Sequence, residues 1–112
     1  MGLVEWQDFE KIEIRVGTVV SAKMNTSARK SAYILEVDFG QEIGVKKTSA
    51  QITDLYDCEQ LIGKQVIAVV NFPPKQIGKM ISEVLVTGFP NQEGKVVLCS
   101  PDFKVPNGSR LY

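Results

Sequence analysis

The longest alternating segment of this chain runs from Ile12 to Met24, and it constrains the fold more than any other feature. Its even positions are apolar or small, apart from one threonine, whereas its odd positions include Glu13 and Arg15. A period of two is typical of a β-strand that buries one face. We therefore predict a long first strand that buries its even positions and bends or bulges at Gly17.

Shorter alternating segments follow, and turn-forming residues separate them. The predicted strands span residues 33–39, 43–47, 66–72, 84–86 and 95–99, and the first two of these form a hairpin. In the strand 33–39, the buried face is expected to carry Tyr33, Leu35, Val37 and Phe39.

Helix signals are weak along the whole chain. Residues 53–61 form the best candidate, with Leu55 and Tyr56 facing inward and Gly63 as the stop. Residues 8–11 can form one turn with Asp8 as its N-cap. One long strand, several short strands and a small helix between the third and fourth strands predict an all-β fold with short helices. The expected architecture is a five-stranded OB-fold barrel with N- and C-terminal extensions.

Length and composition set further limits. A chain of 112 residues is expected to form one domain, residues 1–112, with 1–11 and 100–112 as the extensions. Lys+Arg and Asp+Glu balance at 13 each, which argues against indiscriminate duplex binding but allows a local basic patch. The N-terminus lacks the charge and apolar run of a signal peptide, and no segment is long enough to span a membrane. We therefore expect a cytoplasmic protein without membrane insertion.

Signatures of catalysis are missing from the sequence. There is no histidine, so mechanisms that need His as base, triad member or metal ligand are excluded. Cys58 and Cys99 belong to no CxxC motif, which favours two reduced thiols over a zinc site and leaves a disulfide as the alternative. Glu36 and Asp38 are typical of a solvated strand face, with a cation-binding or acid–base pair as the alternative. We expect no enzyme activity, no metal and no cofactor.

The segment from Asn71 to Leu85 combines three unlike signals. Two prolines end a strand, because proline fixes φ and removes a ladder donor. Two lysines and a glycine follow with no acid among them, and a second alternating segment then begins. The pattern predicts a basic, semi-rigid loop at the rim of the sheet, where β-domains often bind ligands.

Basic residues gather in both loops that flank the groove of an OB barrel, residues 25–31 and 73–81, and at the end of the third strand. These candidates for RNA contact are Arg29, Lys30, Lys46, Lys47, Lys75 and Lys79. The alternative is that scattered lysines only keep a neutral protein soluble.

The loop after the prolines is also unusually apolar. Phe72, Ile77, Met80 and Ile81 are candidates for a groove that binds extended peptide, since Met and branched side chains adapt to varied ligands. Alternatively, the two isoleucines cap the end of the barrel.

Further apolar residues lie outside the predicted strands, near both ends of the chain. They favour an interface between two identical chains, with packing on the outside of the barrel as the alternative. These residues are Trp6, Phe9, Val105, Leu111 and Tyr112.

Several segments together resemble a known family. They are DFEKIEIRVGTVVSA, AYILEVDFGQEIGVKKTSAQIT, LIGKQVIAVVNFPPKQIG, SEVLVTG and VPNGSRL, and they extend from about Asp8 to Leu111. The chain resembles the stand-alone tRNA-binding domains of the kind appended to methionyl-tRNA synthetases, and within them the CsaA-type export-related chaperones. The resemblance implies an OB barrel, a homodimer built from the terminal extensions, and binding rather than catalysis. It also implies unfolded preproteins as ligands and a protein-export translocase as a partner.

The tRNA-binding loop of that family has the form Asn-Leu-Lys-Pro-Arg-Lys-x-Arg-Gly-x-x-Ser-x-Gly-Met. Asn71, Pro74, Lys75 and Ser82 match it in place or in charge, which adds Asn71 and Ser82 to the RNA-contact candidates. Other basic positions of the loop are replaced here, so that charge is exchanged for apolar surface. This departure favours a chaperone for unfolded preproteins, with recognition of tRNA through the OB groove as the alternative.

Overall fold

Nine strands and two short helices make up the fold, in a computed structural model that describes residues 1–112. The elements are α1 (Trp6–Glu10), β1 (Ile14–Met24), β2 (Tyr33–Asp38), β3 (Val45–Ala50), α2 (Cys58–Leu61), β4 (Gln65–Val69), β5 (Lys75–Ile77), β6 (Met80–Ser82), β7 (Leu85–Val86), β8 (Gly88–Pro90) and β9 (Val96–Leu98). No helix is long and apolar enough to cross a membrane.

Five of the strands form one antiparallel sheet in the order β3-β2-β1-β4-β7. The sheet curls so that its first strand approaches the segment before its last. Glu83 donates its backbone N–H to the carbonyl of Lys47 at 2.8 Å, and the hydroxyl of Thr48 donates to the carbonyl of Val84 at 2.7 Å. The prediction of a five-stranded OB barrel is therefore confirmed.

The interior of the barrel is filled by apolar side chains from β2 and from several other elements. Tyr33, Leu35, Val37 and Phe39 are at most 8% exposed, as the alternation predicted. They pack with further buried side chains from β1, α2, β4 and the segments around β7 and β9, namely Val19, Leu61, Val66, Ala68, Val84 and Leu98.

The predicted orientation of β1 is wrong before Val20 and right after it, where Ala22 packs on the core and Lys23 is exposed. Gly17 and Val19 face the interior, and Val20 is an extra residue, since Val19 pairs with Val37 while Ser21 pairs with Glu36. This bulge reverses the phase of the alternation, so the even positions before it point outward. The bulge lies at Val20 and not at the predicted Gly17. Gly17 instead permits close packing, because a Cβ there would lie 2.6 Å from the Val37 side chain.

The C-terminal extension pairs with the free edge of β1, and its apolar side chains border the outward face of this strand. The backbone of Val16 exchanges hydrogen bonds with Ser109 at 3.0 Å and Gly108 at 2.7 Å, and Leu111 donates to the carbonyl of Ile14 at 2.8 Å. An apolar strand face therefore does not identify the barrel interior when an extension packs on the outside.

Both helices differ from their predicted bounds. The first begins earlier, with Glu5 as N-cap and Asp8 as the reciprocal partner three residues later. The second is a single turn capped by Asp57, so Leu55 lies outside it and is exposed. Tyr56 does pack on the core, and its hydroxyl accepts the N–H of Leu98 at 3.0 Å.

The predicted loop after the prolines is a β-hairpin, which we call the arm (residues 75–82). Lys75 pairs with Ser82 and Ile77 with Met80, and Gly78-Lys79 forms the turn. Gly78 has a φ of 65°, which glycine adopts without strain. A second hairpin, β8–β9, includes a strand that the sequence analysis did not predict.

Candidate ligand-binding groove

The loop between β1 and β2 holds the tip of the arm. The Ser27 hydroxyl accepts the N–H of Lys79 at 2.8 Å and donates to the side-chain oxygen of Asn25 at 2.9 Å. Asn25 is only 4% exposed, so this loop is anchored in the barrel. A Cβ at Gly78 would lie 2.6 Å from the carbonyl oxygen of Ser27, and only glycine fits there. The structure thus brings together the two loops that the sequence placed on either side of a groove.

Three of the predicted RNA contacts, Arg29, Lys30 and Lys79, lie at this junction, and Lys75 lies nearby at the base of the arm. Arg29 and Lys30 line a shallow depression of about 280 Å³ together with Gln76 and Gly78 of the arm. Lys75 and Lys79 are exposed on the arm itself. All four of these basic side chains lack a carboxylate within 4.0 Å, since the ion pairs of the chain involve other residues. The junction therefore carries uncompensated positive charge.

The two lysines of β3 are separated by the pleat. Lys46 lies on the same face as the buried Thr48 and forms an ion pair with Glu83 at 4.0 Å, so it is not part of the outer groove face. Lys47 points outward, and its partner on β2 is Glu36. Lys23 also belongs to this outer face, because its partner on β2 is Ile34. Lys23 was not among the predicted RNA contacts, although the alternation of β1 places it on the outward face.

Asn71 and Ser82 are already engaged within the chain. The Asn71 amide accepts the N–H of Glu13 at 2.9 Å and donates to the carbonyl of Lys11 at 2.7 Å, so it ties the N-terminal segment to β4. The Ser82 hydroxyl lies 3.0 Å from that of Thr48 and accepts the N–H of Ser49 at 3.1 Å. Both positions stabilise the frame of the groove in the unbound chain.

An apolar cleft of about 480 Å³ lies between the base of the arm and the closing edge of the barrel. Its apolar lining consists of Phe72, Pro73, Ile77, Val84 and Leu85, and Lys75 lies beside them. Phe72 and Leu85 are each 51% exposed, which leaves the cleft open to a ligand. Leu85 and Val84 were not among the predicted peptide contacts.

The other two predicted peptide contacts lie outside the cleft lining. Ile81 pairs with Gln76, so it projects from the face of the arm opposite to Ile77 and Met80. Met80 shares the face of Ile77 but does not line the cleft. The sequence grouped these residues because they are close along the chain, whereas a hairpin distributes its side chains over two faces.

The terminal apolar residues form two groups. Trp6 and Phe9 contact each other through their rings, with centroids 5.2 Å apart, and Trp6 remains 63% exposed. Val105, Leu111 and Tyr112 line a second apolar cleft of about 440 Å³ on the outer face of β1 and β4, together with Val16 and Ile67.

A three-residue ion cluster borders this second cleft. The Glu13 carboxylate accepts hydrogen bonds from the Arg15 guanidinium at 2.8 and 3.1 Å, and Arg110 lies 3.3 Å from its second oxygen. The hydrogen bond from Arg15 is the main cause that lowers the pKa of Glu13 below its ordinary value of 4.5.

Elsewhere, burial raises the pKa of Tyr33, whose hydroxyl donates to the carbonyl of Tyr56 at 2.7 Å. Cys58 and Cys99 are both free thiols.

Comparison with known proteins shows similarity along the whole chain. The family model described as a putative tRNA binding domain matches residues 14–110. The methionine–tRNA ligase of Flavobacterium johnsoniae is 34% identical over 109 residues, which cover 97% of this chain and 15% of that protein. The chain thus spans about 15% of the length of this curated relative.

Two solved structures are similar over nearly the full length of both chains. The chaperone CsaA from Bacillus anthracis str. Ames is 46% identical, with a TM-score of 0.92, and the match covers 99% of this chain and 100% of that one. The CsaA chaperone protein from Picrophilus torridus is 47% identical, with a TM-score of 0.91, over 98% of this chain and 100% of that one.

Proposed function

Since this chain belongs to the family of putative tRNA binding domains, we propose that it is a binding protein of that family without enzyme activity, and specifically a homodimeric chaperone for unfolded polypeptide. One observation carries the proposal: an open apolar cleft, lined by Phe72, Ile77 and Leu85, lies at the base of an arm that a hydrogen bond ties to the first loop. The similarity to two CsaA chaperones over nearly the whole of each chain supports it.

The cleft has the properties that an extended peptide requires. Phe72 and Leu85 are half exposed in the unbound chain, so peptide side chains can bury them at a gain of about 25 cal/mol per Å² of apolar surface. Lys75 lies beside the apolar lining, where it can contact a carbonyl or a carboxylate of the peptide. The arm and the first loop are already joined, so little ordering of the protein opposes binding.

The identity of the polypeptide follows from the resemblance to export-related chaperones. On that basis the ligands are unfolded preproteins in the cytoplasm, held before translocation, and the translocase is a further partner. The second copy of the chain binds through the apolar residues near the two termini, which include Trp6 and Tyr112.

Binding of tRNA is the second candidate, and a specific observation favours it. Arg29, Lys30 and Lys79 lie at the junction of the arm and the first loop, Lys75 lies at the base of the arm, and none of the four has a carboxylate partner. Together with Lys23 and Lys47, they flank the outer face of β2 and β3, which is the surface that OB folds use for nucleic acids. Phosphate contacts of this kind orient an RNA without reading its sequence.

Fluorescence-anisotropy titration of a labelled unfolded-preprotein peptide and of labelled tRNA, at low and high salt, tests both candidates. Peptide affinity is expected to be nearly independent of salt, because apolar burial carries it. The logarithm of tRNA affinity should fall against the logarithm of salt concentration with a slope of about −0.7 to −0.9 per phosphate neutralised.

Two double variants separate the two surfaces. Phe72→Ala with Leu85→Ala should weaken peptide binding, and Phe89→Ala is the control, since Phe89 is 71% exposed on β8 and outside the cleft. Arg29→Glu with Lys79→Glu should weaken tRNA binding, because both residues lie at the junction and outside the apolar cleft, and Lys95→Glu is the control, because Lys95 is paired with Glu93. Absence of saturable peptide binding to the unaltered protein would refute the chaperone proposal. Peptide affinity that survives the double alanine variant would refute the cleft as its site.

A further inference from the structure

A polar cleft of about 300 Å³ lies outside the groove described above, on the side of β1 that faces β4. Its lining includes Thr18, Lys64, Gln65, Ser100, Pro101 and Lys104, and it contains no aliphatic or aromatic side chain other than the proline ring. This composition differs sharply from that of the two apolar clefts. A cleft of this kind suits a small charged group rather than a peptide side chain.

The two lysines of this polar cleft have no carboxylate within 4.0 Å. Lys64 is half-buried, and its ammonium lies 5.9 Å from the centre of the Tyr56 ring, which is a weak interaction that leaves its charge available. Asp102 is the acid nearest in sequence to Lys104, and it forms no ion pair with any basic residue. No ion pair therefore neutralises the two lysines of the cleft, and the carboxylate beside it is that of Asp38, the strand partner of Thr18.

The floor of the polar cleft is fixed by hydrogen bonds. The Gln65 amide donates to the carbonyl of Val105 at 2.7 Å and accepts the N–H of Val105 at 3.1 Å. The Thr18 hydroxyl donates to the side-chain oxygen of Asn107 at 2.7 Å. Ser100 is exposed in the lining of the cleft, so its hydroxyl can donate to a ligand. The hydrogen-bonded part of the lining thus keeps its conformation when a ligand binds, while the two lysine side chains and the Ser100 hydroxyl can turn toward the ligand.

We propose that this polar cleft binds a phosphate group through Lys64, Lys104 and Ser100. Ammonium groups form strong charge-assisted hydrogen bonds to phosphate oxygens, and a neutral hydroxyl adds a third donor. The phosphate has two possible sources, a phosphodiester of a bound RNA or free inorganic phosphate. The RNA source rests on the tRNA-binding candidate proposed above.

The geometry of β1 connects this site to the groove. Thr18 and Lys23 both point outward from β1, and the five residue steps from one to the other correspond to about 17 Å of strand. Glu36 and Asp38 occupy the adjoining outer face of β2 and interrupt the positive surface. A bound RNA would therefore make a separate phosphate contact here, beyond the contacts at the arm.

Titration of the ¹⁵N-labelled protein with inorganic phosphate, at constant ionic strength, tests the site directly by NMR. Saturable shifts of the Lys64, Ser100 and Lys104 amide signals are expected, and the double variant Lys64→Gln with Lys104→Gln should abolish them. Ser100→Ala should weaken them several-fold. The proposal is overturned if the shifts do not saturate, or if chloride at the same ionic strength reproduces them.

Titration with tRNA separates the two sources of phosphate. If the source is RNA, the double glutamine variant should reduce the salt slope by about 1 to 2, while Lys95→Gln leaves it unchanged. An unchanged slope together with saturable phosphate shifts identifies free phosphate as the ligand. If tRNA does not bind at all, the tRNA candidate fails, and the phosphate titration still decides whether the site exists.

Discussion

Ser27, in the loop after β1, accepts a hydrogen bond from the backbone N–H of Lys79 at the tip of the arm, over 2.8 Å. The contact joins two segments that are 52 residues apart in sequence. Because Asn25 anchors the Ser27 hydroxyl in turn, the arm is held against the barrel before any ligand arrives. The position of the arm, and with it the shape of the groove, thus depends on this hydrogen bond between Ser27 and the tip of the arm.

Replacement of Gly78 by alanine should disturb this contact. A Cβ there would meet the Ser27 carbonyl oxygen at 2.6 Å, and alanine at a φ of 65° adds roughly 1 kcal/mol of backbone strain. We expect the arm tip to move away from the loop, with a several-fold loss of peptide affinity in the anisotropy assay. The free energy of unfolding should fall only by about 1 kcal/mol, since the core is untouched.

Gly44→Ala is the matched control for this variant. Gly44 has a φ of 84° and no heavy atom within 4 Å of its would-be Cβ, so it carries the same strain without the clash. It should lower stability to a similar extent and leave ligand affinity unchanged. Equal affinity losses in the two variants would show that the Ser27 contact does not shape the groove.

Replacement of Ser82 by alanine should lower stability rather than remove a ligand contact. The Ser82 hydroxyl bonds to Thr48 and to the N–H of Ser49 across the closing edge of the barrel. Its loss should cost about 1 to 2 kcal/mol of unfolding free energy in urea titration, because the Ser49 N–H loses its partner. Ser31→Ala, which removes an exposed hydroxyl, should change stability by less than about 0.5 kcal/mol.

The role of Ser82 in RNA binding remains a prediction, and the same pair of variants tests it. If the serine only supports the frame, tRNA affinity at a temperature where both variants are folded should match that of the unaltered protein. A large loss of tRNA affinity in Ser82→Ala alone would instead assign the hydroxyl to RNA contact.

The sequence predicts a strand well where apolar and polar residues alternate without interruption. The strand with Tyr33, Leu35 and Phe39 is predicted well, because its inner face is continuous and the turn after it fixes the register. The orientation of the first half of β1 could not be predicted, since a one-residue bulge reverses the phase and apolar side chains of the C-terminal extension border the outward face. Both effects depend on contacts distant in sequence.

The candidate site was likewise predicted only in part. The sequence placed Arg29, Lys30 and the arm lysines on loops beside one groove, and the structure brings these loops into contact. It could not separate Ile77 from Ile81, because the hairpin that assigns them to opposite faces was predicted as a loop. It also missed the polar cleft of Lys64 and Lys104, whose lining comes from segments distant in sequence.

Stability below about pH 5 should depend on Glu13. Its folded-state pKa is lowered, chiefly by the hydrogen bond from Arg15, so the unfolded chain binds the proton more tightly. The stabilising contribution is therefore fully present above the ordinary value of 4.5 and is lost as the pH falls through the folded-state pKa. In urea titrations from pH 3 to 7, Glu13→Gln should be less stable than the unaltered protein at neutral pH, and the difference should shrink on acidification.

Glu93→Gln is the control for this pH dependence. Glu93 is an exposed carboxylate that lies 3.9 Å from Lys95 on the β8–β9 hairpin, away from the C-terminal extension. Its replacement should change stability little at any pH, as is usual for an exposed ion pair. A stability difference for Glu13→Gln that stays constant from pH 3 to 7 would contradict the assigned role of this carboxylate.

Trp6 is the only tryptophan of the chain and lies 63% exposed beside Phe9, so it can report the proposed dimer. Leu3 and Val4 precede it and are also exposed, which gives the N-terminal segment an apolar surface that one copy does not cover. Light scattering at micromolar concentration should show two copies, and dilution should shift the tryptophan emission to the red as the interface opens. The double variant Leu3→Ala with Phe9→Ala leaves Trp6 in place as the reporter and removes two apolar side chains of the proposed interface. It should raise the dissociation constant of the dimer at least about tenfold. Phe103→Ala, which removes an 80% exposed ring outside the predicted interface, should leave the dissociation constant unchanged. A monomer at micromolar concentration would rule out the dimer. If the double variant of Leu3 and Phe9 changes the dissociation constant no more than Phe103→Ala does, the interface lies on another surface.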